Sequence, residues 1–308
     1  MPKASRAAFG EAILELSDKY PNVVVVDADL SHSTMTRKFS EKYPTRHFNV
    51  GIAEGNMIGI GAGLALAGKI PFICSFACFV VNRFEQVRMS VAYNEAPVRI
   101  VGTHVGIGIG EDGYSQMGLE DVALIRTLPN IAIIQPGDET ETKQAVEYLI
   151  NSNQPAYFRL TRQNLDDVNF PNYKFQFGKG VVLHEGRDVA ILATGGVVGN
   201  ALKAAKELVS ERVSATVINI HTIRPLDEKL ILDAAATCNR VVTIEDHSVN
   251  GGLGGAVAEL LSERRPTRLQ RIGMRTFGES GSPEALYEKY GFSTAGIKKS
   301  VLEFVKER

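Results

Sequence analysis

The chain has 308 residues, of which 44% are hydrophobic and 22% charged, with a formal net charge of −1. That length accommodates about two domains, each able to bury its own core, and the composition excludes a disordered tail. With 34 Lys and Arg against 35 Asp and Glu, the chain lacks the basic surplus that nucleic acid or an anionic membrane would call for, so any phosphate site must be local.

In chain order, MPKASRAAFGEAILEL carries an amphipathic helix pattern rather than a basic, apolar, cleavable leader. Short β-branched runs then alternate with helix-length segments. VVVVDA (23–28), IPFICSF (70–76), VRIVGTH (98–104), IAIIQP (131–136) and YFRL (157–160) read as buried strands; GNMIGIGAGLALAG, FVVNRFEQVRMSVAY and DETETKQAVEYLINS read as helices between them. The polar, aromatic, turn-rich stretch 161-TRQNLDDVNFPNYKFQFGKG-180 interrupts the series and reads as the connection between domains. A second series follows: DVAILATGG, a helix near 198–211, ATVINIHT, a helix near 227–236, RVVTIED, a glycine-marked helix start at NGGLGGAVAELL and two closing helices. The expectation is an α/β fold of two doubly wound, mainly parallel sheets, with domains over 1–165 and 179–308 and a linker over 166–178. No apolar run approaches the ~20 residues needed to cross a bilayer. Cys74, Cys78 and Cys238 are too few for a disulfide framework and read as small buried hydrophobes, which fits a soluble protein of a reducing cytoplasm.

Three stretches invite a chemical reading. In 49-NVGIAEGNM-57, Glu54 is a lone acid at a helix start. Acids are favoured there by unpaired N–H groups and the helix dipole, but the same placement can hold a carboxyl group in a pocket as a proton donor. Phe76, Phe79 and Phe84 recur at helix-like intervals, a spacing more typical of core than of a ligand platform. In 103-THVGIGIGEDGYSQMGLED-121, Gly106, Gly108, Gly110 and Gly113 accompany His104, Glu111 and Asp112 after a strand. This reads as a flexible ligand-binding loop at the carboxyl end of a sheet, without the spacing of a dinucleotide fingerprint.

Taken together, DADLSHST, VGIAEGNM, IPFICSFACFVVNRFEQVRM, GTHVGIGIGEDGYSQMGLEDVALIRTLPN and FRLTRQN, followed by ATGG, VINIHTIRPLD, IEDHSVNGGLGGAV and PEALYEKYGFSTAGI, occur in an order that resembles the C-terminal half of transketolase over nearly the whole chain. The resemblance implies a pyrimidine-binding domain followed by a transketolase C-terminal domain, and thiamine diphosphate as cofactor. It makes Glu54 the catalytic acid that hydrogen-bonds the aminopyrimidine and favours the tautomer that activates the thiazolium carbon. It places Phe79 on the pyrimidine face, Phe76 in its wall and Asp29 beside the thiazolium across a dimer interface. It assigns Asp112 to a sugar hydroxyl, and Arg6, Ser33, His104 and Arg162 to the sugar phosphate, with guanidinium, hydroxyl and imidazole donors converging. Gln116 stands where many members have histidine; it can donate a hydrogen bond to substrate but cannot shuttle a proton near neutrality. Asn82 departs from the family's tyrosine or basic residue.

Full-length members begin with a domain that binds the diphosphate through a metal, with a G-D-G motif and a downstream asparagine. The chain has no such pair in suitable context, so the resemblance implies a split enzyme. A separate N-terminal subunit would supply that domain and the Mg2+ or Ca2+ ligands, none being expected here, in a heterotetramer of two of each chain. The expected reaction is transfer of a two-carbon ketol unit from a ketose, as phosphate, to an aldose, within the pentose phosphate route or a specialised sugar or sulfosugar degradation. The competing readings are a 2-oxoacid dehydrogenase β subunit, a deoxyxylulose-phosphate synthase fragment and a non-catalytic regulatory α/β module.

Overall fold

The computed structural model describes residues 2–307. The first half runs β1 (Lys3–Ala4), α1 (Ser5–Leu16), β2 (Val23–Asp27), α2 (Arg37–Lys42), β3 (His47–Asn49), α3 (Glu54–Leu66), β4 (Ile70–Phe76), α4 (Ala77–Val81), α5 (Phe84–Gln86), β5 (Arg99–Thr103), α6 (Asp121–Arg126), β6 (Ala132–Ile134), α7 (Glu139–Asn151), β7 (Ala156–Arg159) and β8 (Asn164–Leu165). The second half runs β9 (Val181–His184), β10 (Val189–Ala193), α8 (Val198–Leu208), β11 (Ala215–Asn219), β12 (Thr222–Arg224), α9 (Glu228–Cys238), β13 (Arg240–Ser248), α10 (Leu253–Arg264), β14 (Arg268–Met274), α11 (Pro283–Tyr290) and α12 (Thr294–Lys306).

Two mainly parallel sheets result, as the alternation leads one to expect. One has seven strands in the order β12–β6–β7–β5–β4–β2–β3, antiparallel only at β12; the other has five in the order β14–β13–β10–β11–β9, antiparallel only at β9. β2 is apolar along VVVV because both its faces are covered. Val25 lies in the core cluster that holds Phe9 of α1 and Val146 of α7, whereas Val26 lies in the one that holds Met57 of α3 and Val87. α7 starts at an Asp138 cap whose carboxylate accepts the Glu141 N–H at 2.8 Å, a contact worth about 1 kcal/mol. No helix of the described residues is long and apolar enough to cross a membrane.

Two features differ from the sequence reading. FVVNRFEQVRMSVAY is not one helix: α4 stops at Val81, Arg83 leaves the helical region at φ −113° and ψ 35°, and the chain resumes as α5 and a π-helical turn over 87–92. Two β-branched residues followed by asparagine are weak helix formers, so tertiary packing decides the path. The second feature is β12, which leaves the second half to pair with β6, Thr222 lying opposite Ile134. A strand of three residues carries no readable period. Its consequence is that the two halves share a sheet.

The order of the seven-stranded sheet places the site. From β2 the chain moves to β3 on one side and then to β4 on the other. That reversal opens a crevice beyond the carboxyl ends of β2 and β4, where open α/β sheets take ligands.

Candidate active site

Every residue singled out for chemistry lies in a segment at the carboxyl ends of these strands or in the first turn of α1. The loop after β2 carries Asp29 and Ser33, the turn after β3 leads into Glu54, β4 ends at Phe76, β5 leads to His104, and β7 leads to Arg162. The first of these loops is shaped by a group that sequence reading passed over. Asp27, fully buried at the end of β2, accepts from Thr34 Oγ1 at 2.9 Å and Thr36 Oγ1 at 3.2 Å. Its only sequence signal is a carboxylate closing an apolar strand.

One group of side chains converges. Arg6 Nη1 donates to the Ser33 carbonyl at 2.7 Å and lies 3.0 Å from His104 Nε2. The His104 ring stacks on Phe76 with centroids 3.6 Å apart, and Phe76 lies nearly parallel to Phe79 at 5.3 Å. Arg162 faces Asp112 at 3.5 Å and donates to the Ile109 carbonyl at 2.6 Å. Burial, followed by the charge of Arg162, lowers the pKa of Arg6, and among the described residues the buried Arg6 Nε has no hydrogen-bond partner. A pair of guanidiniums with one carboxylate between them is electrostatically short of an anion.

His104 cannot act here as a cation. Burial, reinforced by the charges of Arg6 and Arg162, pushes it down to about 3. Because arginine only donates, Nε2 must accept from Arg6, which leaves the ring proton on Nδ1, 2.8 Å from Thr103 Oγ1. The imidazole expected to be a donor is therefore an acceptor at Nε2 in this state, and Ser33 meets Arg6 through its carbonyl rather than its hydroxyl. His104 also holds φ +59°, as Asp29 holds φ +63°. Left-handed backbone costs such residues about 1–2 kcal/mol and gathers at functional sites.

Other candidates stand apart within this one chain. Glu54 opens α3, is 6% exposed, and has Ser75 Oγ at 3.5 Å from Oε1. This buried carboxyl makes no ion pair among the described residues, and it sits beside the end of β4 that leads to Phe76 and Phe79. A carboxyl group and flat apolar rings together suit a heteroaromatic guest bearing a ring nitrogen. Asp29 is exposed and accepts from Asn49 Nδ2 at 3.1 Å. Gln116 is half-buried in a single helical turn and makes no side-chain hydrogen bond among the described residues.

The glycine-rich loop is not flexible as expected. Ile107 and Ile109 are fully buried in the core of the second half, with Val197, Val198 and Leu286. The Ile107 and Gly108 N–H groups donate to Asp246 of β13 at 2.8 and 3.2 Å. Among the described residues no three His, Cys, Asp or Glu side chains are grouped to hold a metal ion.

A buried acid, two stacked rings and a cationic cluster thus lie at the carboxyl end of a mainly parallel sheet, where α/β folds take ligands. Residues 1–167 match the transketolase pyrimidine-binding domain and residues 178–297 the transketolase C-terminal domain: the chain belongs to the transketolase family. It is 43% identical over 310 residues to a chain of Methanocaldococcus jannaschii described as a transketolase C-terminal section, covering 99% of this chain and 97% of that one. It is 40% identical over 305 residues to a 6-deoxy-6-sulfo-D-fructose transketolase subunit of Clostridium sp. (strain MSTE9), covering 98% and 95%. A solved split-gene transketolase, described as an inactive beta4 tetramer, superposes with a TM-score of 0.90 at 40% identity, covering 99% of both chains.

Proposed function

We propose that the chain is the C-terminal subunit of a two-chain, thiamine diphosphate-dependent transketolase that moves a two-carbon ketol unit from a ketose phosphate to an aldose phosphate. In this reading residues 1–165 form the pyrimidine-binding unit and 179–308 the C-terminal unit, joined by 166–178, in keeping with the extents of the two family matches. Thiamine diphosphate, when bound, supplies a nucleophilic carbon and an electron sink for cleavage beside a carbonyl. Glu54 holds a proton toward its pyrimidine nitrogen, Phe79 and Phe76 cover the ring, and Asp29 faces the thiazolium side at an interface with another chain.

The observation that carries the substrate class is the link from Arg6 through His104 to Phe76, at 3.0 Å and 3.6 Å. It puts an anion-seeking cluster directly against the aromatic wall. A phosphate, or another terminal anion such as a sulfonate, would be taken by Arg6 and Arg162, with Ser33 and His104 beside them. Asp112 and Gln116 are then placed for sugar hydroxyls. Neutral His104 at a phosphate oxygen must carry its proton on Nε2, so anion binding and release of the Arg6 hydrogen bond are coupled to a change of tautomer.

The partner in this reading is an N-terminal transketolase subunit that holds the diphosphate through Mg2+ or Ca2+, the complex being a heterotetramer of two of each chain. Support comes from the relatives of matching length that are described as subunits or sections, and from an exposed apolar side chain in the turn that leads into Glu54. Ile52, two residues before Glu54, is 85% exposed. Three buried, unpaired cysteines favour the cytoplasm. The deciding experiment reconstitutes the chain with its partner subunit, metal and thiamine diphosphate and compares donors. Ketol transfer from a ketose phosphate and none from pyruvate is expected; turnover of pyruvate, or full activity of the chain alone, would overturn the assignment.

A further inference from the structure

Two successive N–H groups in a glycine-rich turn after a strand ordinarily form a cradle for an anion. In this chain the cradle is already filled. Ile107 and Gly108 donate to Oδ1 and Oδ2 of Asp246, a residue of β13 that is 3% exposed. The same Oδ2 accepts from Tyr287 Oη of α11 at 2.8 Å, and Tyr287 Oη accepts from Gln163 Nε2 at 2.6 Å. Gln163 follows Arg162, whose Nη1 donates back to the Ile109 carbonyl of the loop. The result is a closed ring of hydrogen bonds. It starts at the loop, passes through a carboxylate and a phenol of the second half, and returns to the loop through the segment after β7.

The glycines fit this arrangement. Gly106 sits at φ +74°, and a Cβ there would collide with the Asp246 carboxylate; a Cβ at Gly108 would collide with the Gln163 amide. These positions are small so that two side chains can approach the backbone, not so that the loop can move. His104 stands at one end of the pinned stretch and Asp112 just past the other, while Arg162 is fixed from the opposite side. Among the described residues, the side chains of Asp246, Tyr287 and Gln163 make no hydrogen bond to Arg6, His104 or Arg162.

We propose that Asp246, Tyr287 and Gln163 form a positioning relay through which the second half of the chain sets the spacing of Arg162 and Asp112 relative to Arg6 and His104, and so the fit of the terminal anion of the sugar. This rests on the functional reading above. It also implies that the glycine loop gives no backbone N–H from Ile107 or Gly108 to the phosphate, whose recognition falls to side chains.

Tyr287→Phe and Asp246→Asn test the relay. The first keeps the ring packed on Phe292, at 5.6 Å between centroids, and removes only the hydroxyl that joins Asp246 to Gln163. Hydrogen exchange on the full-length chain is the first measurement. Peptides over 104–118 and 161–165 are expected to exchange about tenfold faster in both variants, as fits loss of a charge-assisted hydrogen bond, while 189–208 is unchanged. In the two-chain complex, KM for the ketose phosphate is expected to rise about tenfold with kcat within about twofold and thiamine diphosphate affinity unaltered. Unchanged local exchange, or faster exchange spread evenly over the second half with KM unaltered, would overturn the relay. A wild-type complex inactive on ketose phosphates would instead refute the functional reading, and with it the sugar-fitting role, while the exchange data would still decide whether the relay holds the loop.

Discussion

Replacing Glu54 by glutamine separates chemistry from folding more cleanly than any other change in the site. The side chain is 6% exposed, opens α3, and among the described residues has one side-chain hydrogen-bond partner, Ser75 Oγ, at the 3.5 Å limit of a hydrogen bond. Glutamine keeps the volume, so no cavity opens. Glutamine also keeps an oxygen acceptor at the helix start, so folding loses no more than about 1 kcal/mol. In a chain of this size that displaces the melting temperature by no more than about 4 °C. Catalysis loses a positioned proton-sharing group, for which about 10²- to 10⁴-fold in kcat is expected, or roughly 3–5 kcal/mol of barrier. The assay is steady-state ketol transfer by the reconstituted complex at saturating thiamine diphosphate, beside a thermal melt of the same preparation. A kcat within about threefold of wild type with cofactor bound would refute the catalytic role. A collapse of the melt that tracked the loss of activity would show that Glu54 supports the helix and not the reaction.

Arg6→Ala is expected to raise KM for a sugar phosphate by about 10- to 100-fold with little change in kcat, because a charge-assisted fork is lost from the anion site; Arg6→Lys should recover only part, and an unchanged KM would contradict the assignment. Since burial and the charges of Arg6 and Arg162 push His104 down to about 3, the kcat/KM pH profile should lack a histidine step. A step near pH 6.5 that vanishes in His104→Gln would be the contrary result. Burial pushes Glu141 up to about 7 against hydrogen bonds from Tyr173, Gly137 and Asn219. Its folded pKa exceeds its unfolded one, so its contribution of about 3 kcal/mol is full below the unfolded pKa and is lost as pH rises through about 7. Glu141→Gln should therefore flatten urea stability between pH 5 and 8, and a wild-type stability that rises through that window would show the group ionised. Asp121→Asn should cost about 3–5 kcal/mol in urea unfolding. It strands the fully buried Arg159 guanidinium, which Asp121 meets at 2.7 and 3.1 Å and which holds the Asp121 carboxyl below its usual range despite burial; a loss below about 1 kcal/mol would mean the pair is hydrated.

How far the sequence could be read depended on range. β2, β4, β5, β10 and β13 are apolar runs long enough to show their period, and their alternation with helices predicts mainly parallel sheets. β3 and β12 have three residues each, too few for a pattern, and β12 takes its place from a partner strand in the other half of the chain. The broken helix after Phe79 was illegible for a related reason: its period is helical, and only packing bends it. Among the proposed site residues, only Glu54 was locally visible, as an acid among small residues; Phe76 and Phe79 at helical spacing read as core, and their ligand role came from the resemblance. Arg6 and Arg162 were not visible either, since each alone reads as a solvated surface charge and only their convergence on His104 gives them a role.

The glycine loop went wrong in the most instructive way. Four glycines in eight residues signal freedom when nothing is known of what lies against them. In the fold, the space left by two of those glycines is occupied by Asp246 and Gln163, and the isoleucines between them are core residues of the other half. Mobility and close packing ask for the same amino acid, so glycine content cannot tell them apart. Counting where the backbone N–H groups go can do so, because two buried donors that face a carboxylate are not available to a ligand. By that count the second half of the chain, which supplies none of the proposed ligands to cofactor or sugar, sets where those ligands stand.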